Sequence, residues 1–419
     1  MRKLAAPLLA AAALTMGMTL TACNTPQSGE ASTSASLELF STKAENVDTL
    51  QKLVDAFVAE NPGVSITIMS PADATTVLRA RLTKNDIPDI IALGGDATYT
   101  ELAGAGVLMD LSGQSFLSNV QDGYQQMLYD IQPDQTTTPF AIPYATNGSG
   151  VLYNKDIFAQ YNVSIPQTWD EFIAAANTFK DAGVNPFLLT FVDAWTTLPS
   201  WNSMAPVLAP SGFIQQLVNG QAKFTGTHEE VLQKYLQILN LCQNDYMGTS
   251  YDDGNKAFAQ GEAAMMINGN WAIPEFLKTN PDMNVDLFAF PTTNTVAKNT
   301  ITSGVDVALA LGADSKYSET GLKFLDFMTR TANAQQYIDE QFAFSAVKGV
   351  EQNNATVAGV KDTIAAGRVS DFPDHYYPAG FDLSAILSQF ALNNKNGMDP
   401  AENVTQTLAD CDTEYQALI

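Results

Sequence analysis

Side chains suited to covalent or metal chemistry are sparse in this chain. It holds two histidines, His228 and His375, and three cysteines, Cys23, Cys242 and Cys411. None falls in a His-Glu-x-x-His or Cys-x-x-Cys spacing, and neither a Gly-x-Ser-x-Gly elbow nor a Gly-rich phosphate loop occurs. Metal, nucleophilic and nucleotide chemistry are therefore unsupported, and no cofactor is expected. The 45 acidic residues leave one enzymatic alternative open, a secreted glycoside hydrolase, because that reaction needs only two well-placed carboxylates.

Side chains for binding without reaction are better supplied. Neutral sugars need flat apolar faces for their C–H surfaces and fixed polar groups for their hydroxyls. Trp195, Trp201 and Trp271 lie in turn-rich or helix-start segments outside clear helical stripes, which makes them candidate platforms, with packing inside a lobe as the alternative. Lys43, Asp96, Asn147 and Asp306, the last following Gly304, are the candidate polar partners. Turn formation or capping is the competing role for the Asp and Asn residues. Asp371-Phe372-Pro373-Asp374-His375-Tyr376-Tyr377-Pro378 adds a carboxylate, an imidazole and aromatic rings in one loop.

These residues must be held by elements that the pattern outlines. From Leu37 onward, short β-rich runs alternate with amphipathic stretches, which predicts βαβ units and a mainly parallel sheet. Leu50, Leu53, Val54 and Phe57 recur at helical spacing ahead of Asn61-Pro62-Gly63. Pro88 to Leu93 reads as a short buried strand turning away at Gly94-Gly95-Asp96. Lys43 and Asp96 would thus sit in loops beyond the ends of parallel strands, where open α/β sheets place ligands. Thr168-Trp169-Asp170-Glu171 has the form of a helix capping box. A single helix is expected from about Ser318 to Gln341.

The N-terminus has a different purpose. Arg2-Lys3, an apolar stretch from Leu4 to about Met18 and Leu20-Thr21-Ala22-Cys23 follow the order of a bacterial export signal. Leu-Thr-Ala-Cys resembles the lipobox of bacterial lipoproteins, which implies a signal peptide over 1–22 and lipidation of Cys23. Residues 23–36 are small or polar and read as a flexible linker, spanning about 20 Å as a coil and roughly 45 Å fully extended. Loss of Arg2 and Lys3 would take the formal charge two units below the −24 of the whole chain. Such an acidic protein excludes nucleic acid as an expected partner. Cys242 and Cys411 are either a lone disulfide or two buried thiols.

Taken in order, Pro88-Asp89-Ile90, Leu152-Tyr153-Asn154-Lys155-Asp156, Pro166 through Phe172, Phe258 through Met265 with Gly269 and Trp271, and Phe324-Leu325-Asp326-Phe327-Met328 resemble the extracellular solute-binding proteins of ABC sugar importers, the maltose-binding-protein-like family 1. The resemblance implies an α/β, two-lobed, periplasmic-binding-protein-like fold of type II, with the ligand cleft between lobes. By that analogy residues 37–144 plus 291–345 form the N-terminal lobe and 145–290 plus 346–419 the C-terminal lobe. It further implies a monomeric, non-enzymatic receptor, lipid-anchored at the extracellular face of the cell membrane, that delivers an oligosaccharide to ABC permease subunits. The 371–378 loop is similar to a stretch in the branch taking α-1,6-linked galactosides and glucosides such as raffinose and isomaltose-type sugars. In that branch Asp374 and His375 would hold hydroxyls of the terminal sugar. A binding protein for a non-sugar solute is the remaining alternative.

Overall fold

The computed structural model describes residues 34–132, 136–365, 368–378 and 380–419. The export signal, Cys23 and most of the expected linker lie outside them. The end of that linker is shorter than expected: Ala35 and Ser36 already belong to the first strand, because Ala35 pairs with Val64.

Two six-stranded sheets organise the described residues. The first contains β1 (Ala35–Ser41), β2 (Val64–Met69), β3 (Ile90–Leu93), β4 (Ala141–Thr146), β10 (Val305–Leu311) and β11 (Phe344–Ser345). Its spatial order is β11-β4-β10-β3-β1-β2. The second contains β5 (Ser149–Asn154), β6 (Asn185–Leu188), β7 (Ala263–Gly269), β8 (Val285–Phe288), β9 (Ile301–Thr302) and β12 (Val369–Ser370). There the order is β12-β9-β5-β7-β6, with β8 also paired to β5.

Strand alternation builds a core on each face of each sheet. Leu37, Leu39, Ile90 and Ala92 face one cluster, into which the helix Val47–Glu60 inserts Leu50, Leu53, Val54 and Phe57. Phe40, Ile91 and Leu93 face the opposite cluster. In the second sheet Val151 and Tyr153 point one way and Leu152 the other. Both lobes are thus sheets covered on two sides. Each fully buried Leu or Phe contributes about 1.5–3 kcal/mol relative to exposure.

Several sequence expectations change. Among the named strands of the described residues, β1 with β2, β1 with β3, β6 with β7 and β9 with β12 run parallel, and the other pairings are antiparallel. The mainly parallel sheet is lost because the chain leaves the first sheet after β4 and returns as β10 in the reverse direction. That return comes after Thr302, since β9 still pairs in the second sheet, and so lies beyond Pro291, where it was expected. The expected helix over 318–341 is two helices, Ser318–Met328 and Thr331–Gln341, divided where Arg330 turns extended (φ −66°, ψ 134°). Cys242 and Cys411 are free thiols, and burial raises the pKa of both, Cys242 to about 12. The Thr168 capping box is present, with the Thr168 hydroxyl accepting from Glu171 N–H and the Glu171 carboxylate accepting from Thr168 N–H.

Between the sheets the chain crosses at 147–148 and again at 303–304, and these crossings are tied together. Asn147 N–H donates to the Gly304 carbonyl, and Gly304 N–H donates to Asn147 Oδ1 at 3.2 Å. Asn270 accepts from Gly148 N–H through Oδ1 and donates from Nδ2 to the Phe342 carbonyl at 3.0 Å.

Candidate ligand-binding cleft

Strand direction explains why distant residues meet. Parallel strands β1 and β3 end at the same edge of the first sheet, and β10, antiparallel to β3, begins there. The loops carrying Lys43, Asp96 and Asp306 therefore converge. Ser41 shapes the first of them, its hydroxyl donating to the Lys43 carbonyl and accepting from Lys43 N–H.

Lys43 Nζ lies 2.5 Å from Asp306 Oδ2, and both side chains are largely shielded, at 16% and 12% exposure. Asn147 Nδ2 donates to the other Asp306 oxygen at 3.2 Å. Trp271, supplied by the second lobe just after β7, closes over this pair, with Lys43 Nζ 5.8 Å from its ring centroid. Gly269 makes that placement possible: a Cβ there would stand 1.9 Å from the indole ring. Trp271 is 9% exposed.

Asp96 lies beside this group. Its Oδ1 accepts from Thr98 N–H at 2.8 Å, so it caps the helix Ala97–Gly104, while Oδ2 lies under Gly94. Across from it stands the short turn Pro373–Tyr376. Phe372 and His375 stack at 4.9 Å and 18°. Gly304 admits them, since a Cβ there would meet the Phe372 ring at 3.0 Å and His375 at 3.5 Å. Burial raises the pKa of the Asp374 carboxyl, His375 opposes that shift, and the negative charge of Asp96 adds to it. The structure thus brings Lys43, Asp96, Asn147, Trp271, Gly304, Asp306, Asp374 and His375 together.

Trp201 is no exposed platform. It is fully buried in the second-lobe core, stacked on His228 at 5.0 Å and 12°, because the helix Leu198–Leu208 turns it inward. The same burial pushes His228 down to about 3, leaving it neutral near pH 7. Trp195 is 39% exposed and meets Tyr251 edge-on at 4.9 Å.

Polar atoms without partners gather at the same place. Trp201 Nε1, Asn202 Oδ1, Asp374 Oδ1 and Tyr377 Oη are buried and make no hydrogen bond among the described residues. Asn202 is near enough to Asp374 to lower its pKa slightly, without a hydrogen bond of normal geometry. Trp201 likewise approaches Tyr377 without a hydrogen bond of normal geometry, and leaving such a group unsatisfied costs about 1–3 kcal/mol, so these loosely paired groups are candidates to turn toward a polar ligand. A cavity of about 1200 Å³ opens alongside, between Tyr129–Gln132 of the first lobe and Pro206–Phe213 of the second, with His375, Tyr376 and Tyr377 on its wall.

Sequence reasoning overlooked Asn202 and, next to Lys43, Glu45, and it singled out the loop holding Phe372 and Tyr377 without giving those two rings a role of their own. Phe372 had a readable signal in its three-residue spacing from His375. Among the described residues no group of His, Cys, Asp and Glu is arranged to hold a metal ion.

A family profile described as "Bacterial extracellular solute-binding protein" matches residues 42–335. The chain is 29% identical over 345 residues to the multiple sugar-binding protein of Streptococcus mutans, covering 80% of each. It is 24% identical over 332 residues to the melibiose/raffinose/stachyose-binding protein MelE of Bacillus subtilis, covering 76% of each. Its fold matches the solute-binding protein RafE in complex with raffinose, with a TM-score of 0.80 at 24% identity, covering 91% of this chain and 100% of that one. These relatives are binding proteins rather than enzymes.

Proposed function

This chain belongs to the bacterial extracellular solute-binding proteins, and on that premise we propose that it captures an oligosaccharide outside the cell and delivers it to the permease of an ABC importer. The observation carrying this reading is the meeting, between two lobes, of the aromatic faces of Trp271 and Phe372 with charged groups and orphaned polar atoms. Such a surface suits a neutral, hydroxyl-rich ligand with apolar C–H faces.

The cargo is a raffinose-type, α-1,6-linked oligosaccharide. The names of the Bacillus subtilis relative and of the raffinose complex support this choice. Asp374 and His375 accept and donate hydrogen bonds to hydroxyls of the terminal unit, with Phe372 beneath it. Lys43, Asp306 and Asn147 bind the next hydroxyls, and Trp271 covers that unit. Asp96 adds charge at the cleft floor, Trp201 backs the pocket with its unpartnered indole N–H, and Trp195 lies at the rim. The lobes close by rotation about the crossings at 147–148 and 303–304. Lipidation of Cys23 holds the monomeric receptor at the outer face of the membrane, close to its permease.

Calorimetric titration with raffinose, stachyose, melibiose, maltose-type and xylose-based oligosaccharides tests the assignment. Tightest binding to the galactosides, with the sugar recovered intact, is the expected result. Heat from none of them, or release of cleaved products, would overturn it.

A further inference from the structure

Next to Lys43 lies a second polar constellation. Glu45 follows Lys43 in the loop after β1. Its carboxyl is buried near Lys43, Asp306 and Glu275, and the desolvation raises its pKa. From the second lobe, the helix Tyr251–Ala259 presents Tyr251 and, one turn later, Asn255. Tyr251 Oη lies near both Glu45 and Asn255.

Neither contact makes a hydrogen bond of normal geometry. Tyr251 Oη and Asn255 Oδ1 are buried without partners among the described residues, and Asn255 as a whole is only 2% exposed. Asp193 Oδ2 accepts from Tyr251 N–H at 2.6 Å, which ties the loop before Trp195 to the helix start. Trp195, 39% exposed, thereby stands edge-on against the Tyr251 ring.

A carboxyl, a phenol and an amide carbonyl beside an exposed indole repeat the chemistry of the first site: donors and acceptors for hydroxyls next to a flat face for C–H groups. A purely structural role accounts poorly for this arrangement. Core groups brought so close normally satisfy one another, and a packing tryptophan would be covered. The two sites are joined by a continuous row of residues, Gly304 against His375, Asp306 bonded to Lys43, and Lys43 beside both Trp271 and Glu45.

We propose that Glu45, Tyr251 and Asn255, flanked by Trp195, form a further sugar subsite beyond Trp271, which receives the third unit of a bound oligosaccharide and selects trisaccharides and longer ligands over disaccharides. The proposal rests on the oligosaccharide reading above. The third unit's hydroxyls bond to the Tyr251 phenol, the Asn255 carbonyl and Glu45, and its apolar face lies on Trp195.

The test is calorimetric titration of the full chain with melibiose, raffinose and stachyose, which have two, three and four units. Tyr251→Phe removes only an oxygen that has no partner, so it should fold as the wild type does, and thermal melting checks this. Glu45→Gln and Trp195→Ala extend the set. Each variant is expected to lose roughly tenfold in raffinose and stachyose affinity, with a loss at least about fivefold smaller for melibiose. Asp374→Ala, at the terminal unit, should lower all three affinities alike. Equal losses for short and long sugars in the Tyr251 and Glu45 variants, or no loss in either, would overturn the subsite alone. A wild type that binds none of the three would overturn the oligosaccharide reading and the subsite with it, a failure visible without any variant.

Discussion

Lys43 Nζ and Asp306 Oδ2, 263 positions apart in the chain, lie 2.5 Å from each other at the edge of the first sheet. The ion pair lies under Trp271 of the opposite lobe, so it joins the architecture of one lobe to the face contributed by the other.

Lys43→Met should leave Asp306 partly buried with only Asn147 as its partner. Removing one member of a shielded pair costs up to about 3–5 kcal/mol, and exposure of 16% and 12% favours the lower end. Denaturant melts should show the loss, calorimetry a parallel fall in raffinose affinity, and Lys43→Met/Asp306→Leu a partial recovery of stability only.

For Asp374 stability and binding should move in opposite directions. Burial is the largest cause of its raised pKa, His375 opposes the shift and Asp96 adds to it. A raised folded pKa means that the group's contribution to stability is complete below its unfolded value and is lost as pH rises through the folded one. Asp374→Asn should therefore melt higher than wild type at pH 7. That gap should close as pH falls through the acid range. Sugar affinity should drop roughly ten- to hundredfold at pH 7, as expected for a lost charged hydrogen bond.

Gly269→Ala isolates the position of Trp271. The backbone there is ordinary (φ −126°), so the added methyl group's nearest conflict is with the indole, 1.9 Å away. Trp271→Ala removes the face itself. Both should weaken raffinose binding by roughly tenfold or more, and the glycine variant should also shift the tryptophan fluorescence of the unliganded protein.

Asn270 links Gly148, at one crossing between lobes, to Phe342. Asn270→Ala should cost about 1–3 kcal/mol of stability through the two lost hydrogen bonds. It should also broaden the range of lobe angles, seen in small-angle scattering as a larger radius of gyration without sugar. An unchanged scattering profile would count against its role in the hinge.

Cys23→Ala tests the proposed anchor. With lipidation blocked, the protein should move from the membrane fraction into the medium while its sugar affinity stays the same.

Much of the molecule was readable in one dimension. Helical spacing of Leu50, Leu53, Val54 and Phe57 specified a buried face, Thr168 and Glu171 specified a cap, and the loops Ser41-Thr42-Lys43 after β1 and Gly94-Gly95-Asp96 after β3 pointed to the sheet edge where open α/β sheets place ligands. Local chemistry acts over a few residues, so a local pattern suffices to reveal it. The direction of β10, the second sheet's hold on the chain as far as Thr302, and the break at Arg330 lay beyond that range. So did the inward turn of Trp201 and the meeting of Glu45 with Tyr251 and Asn255. Each of these depends on which distant segments pack together, and a residue's own neighbours in sequence carry little of that information. Residue types alone argued against metal, nucleotide and nucleophilic chemistry and supplied groups suited to binding, while a pair of carboxylates acting on a glycosidic bond stayed open. Tertiary packing decided which of those residues share a cleft, because burial and pairing across 263 positions are properties of the folded chain.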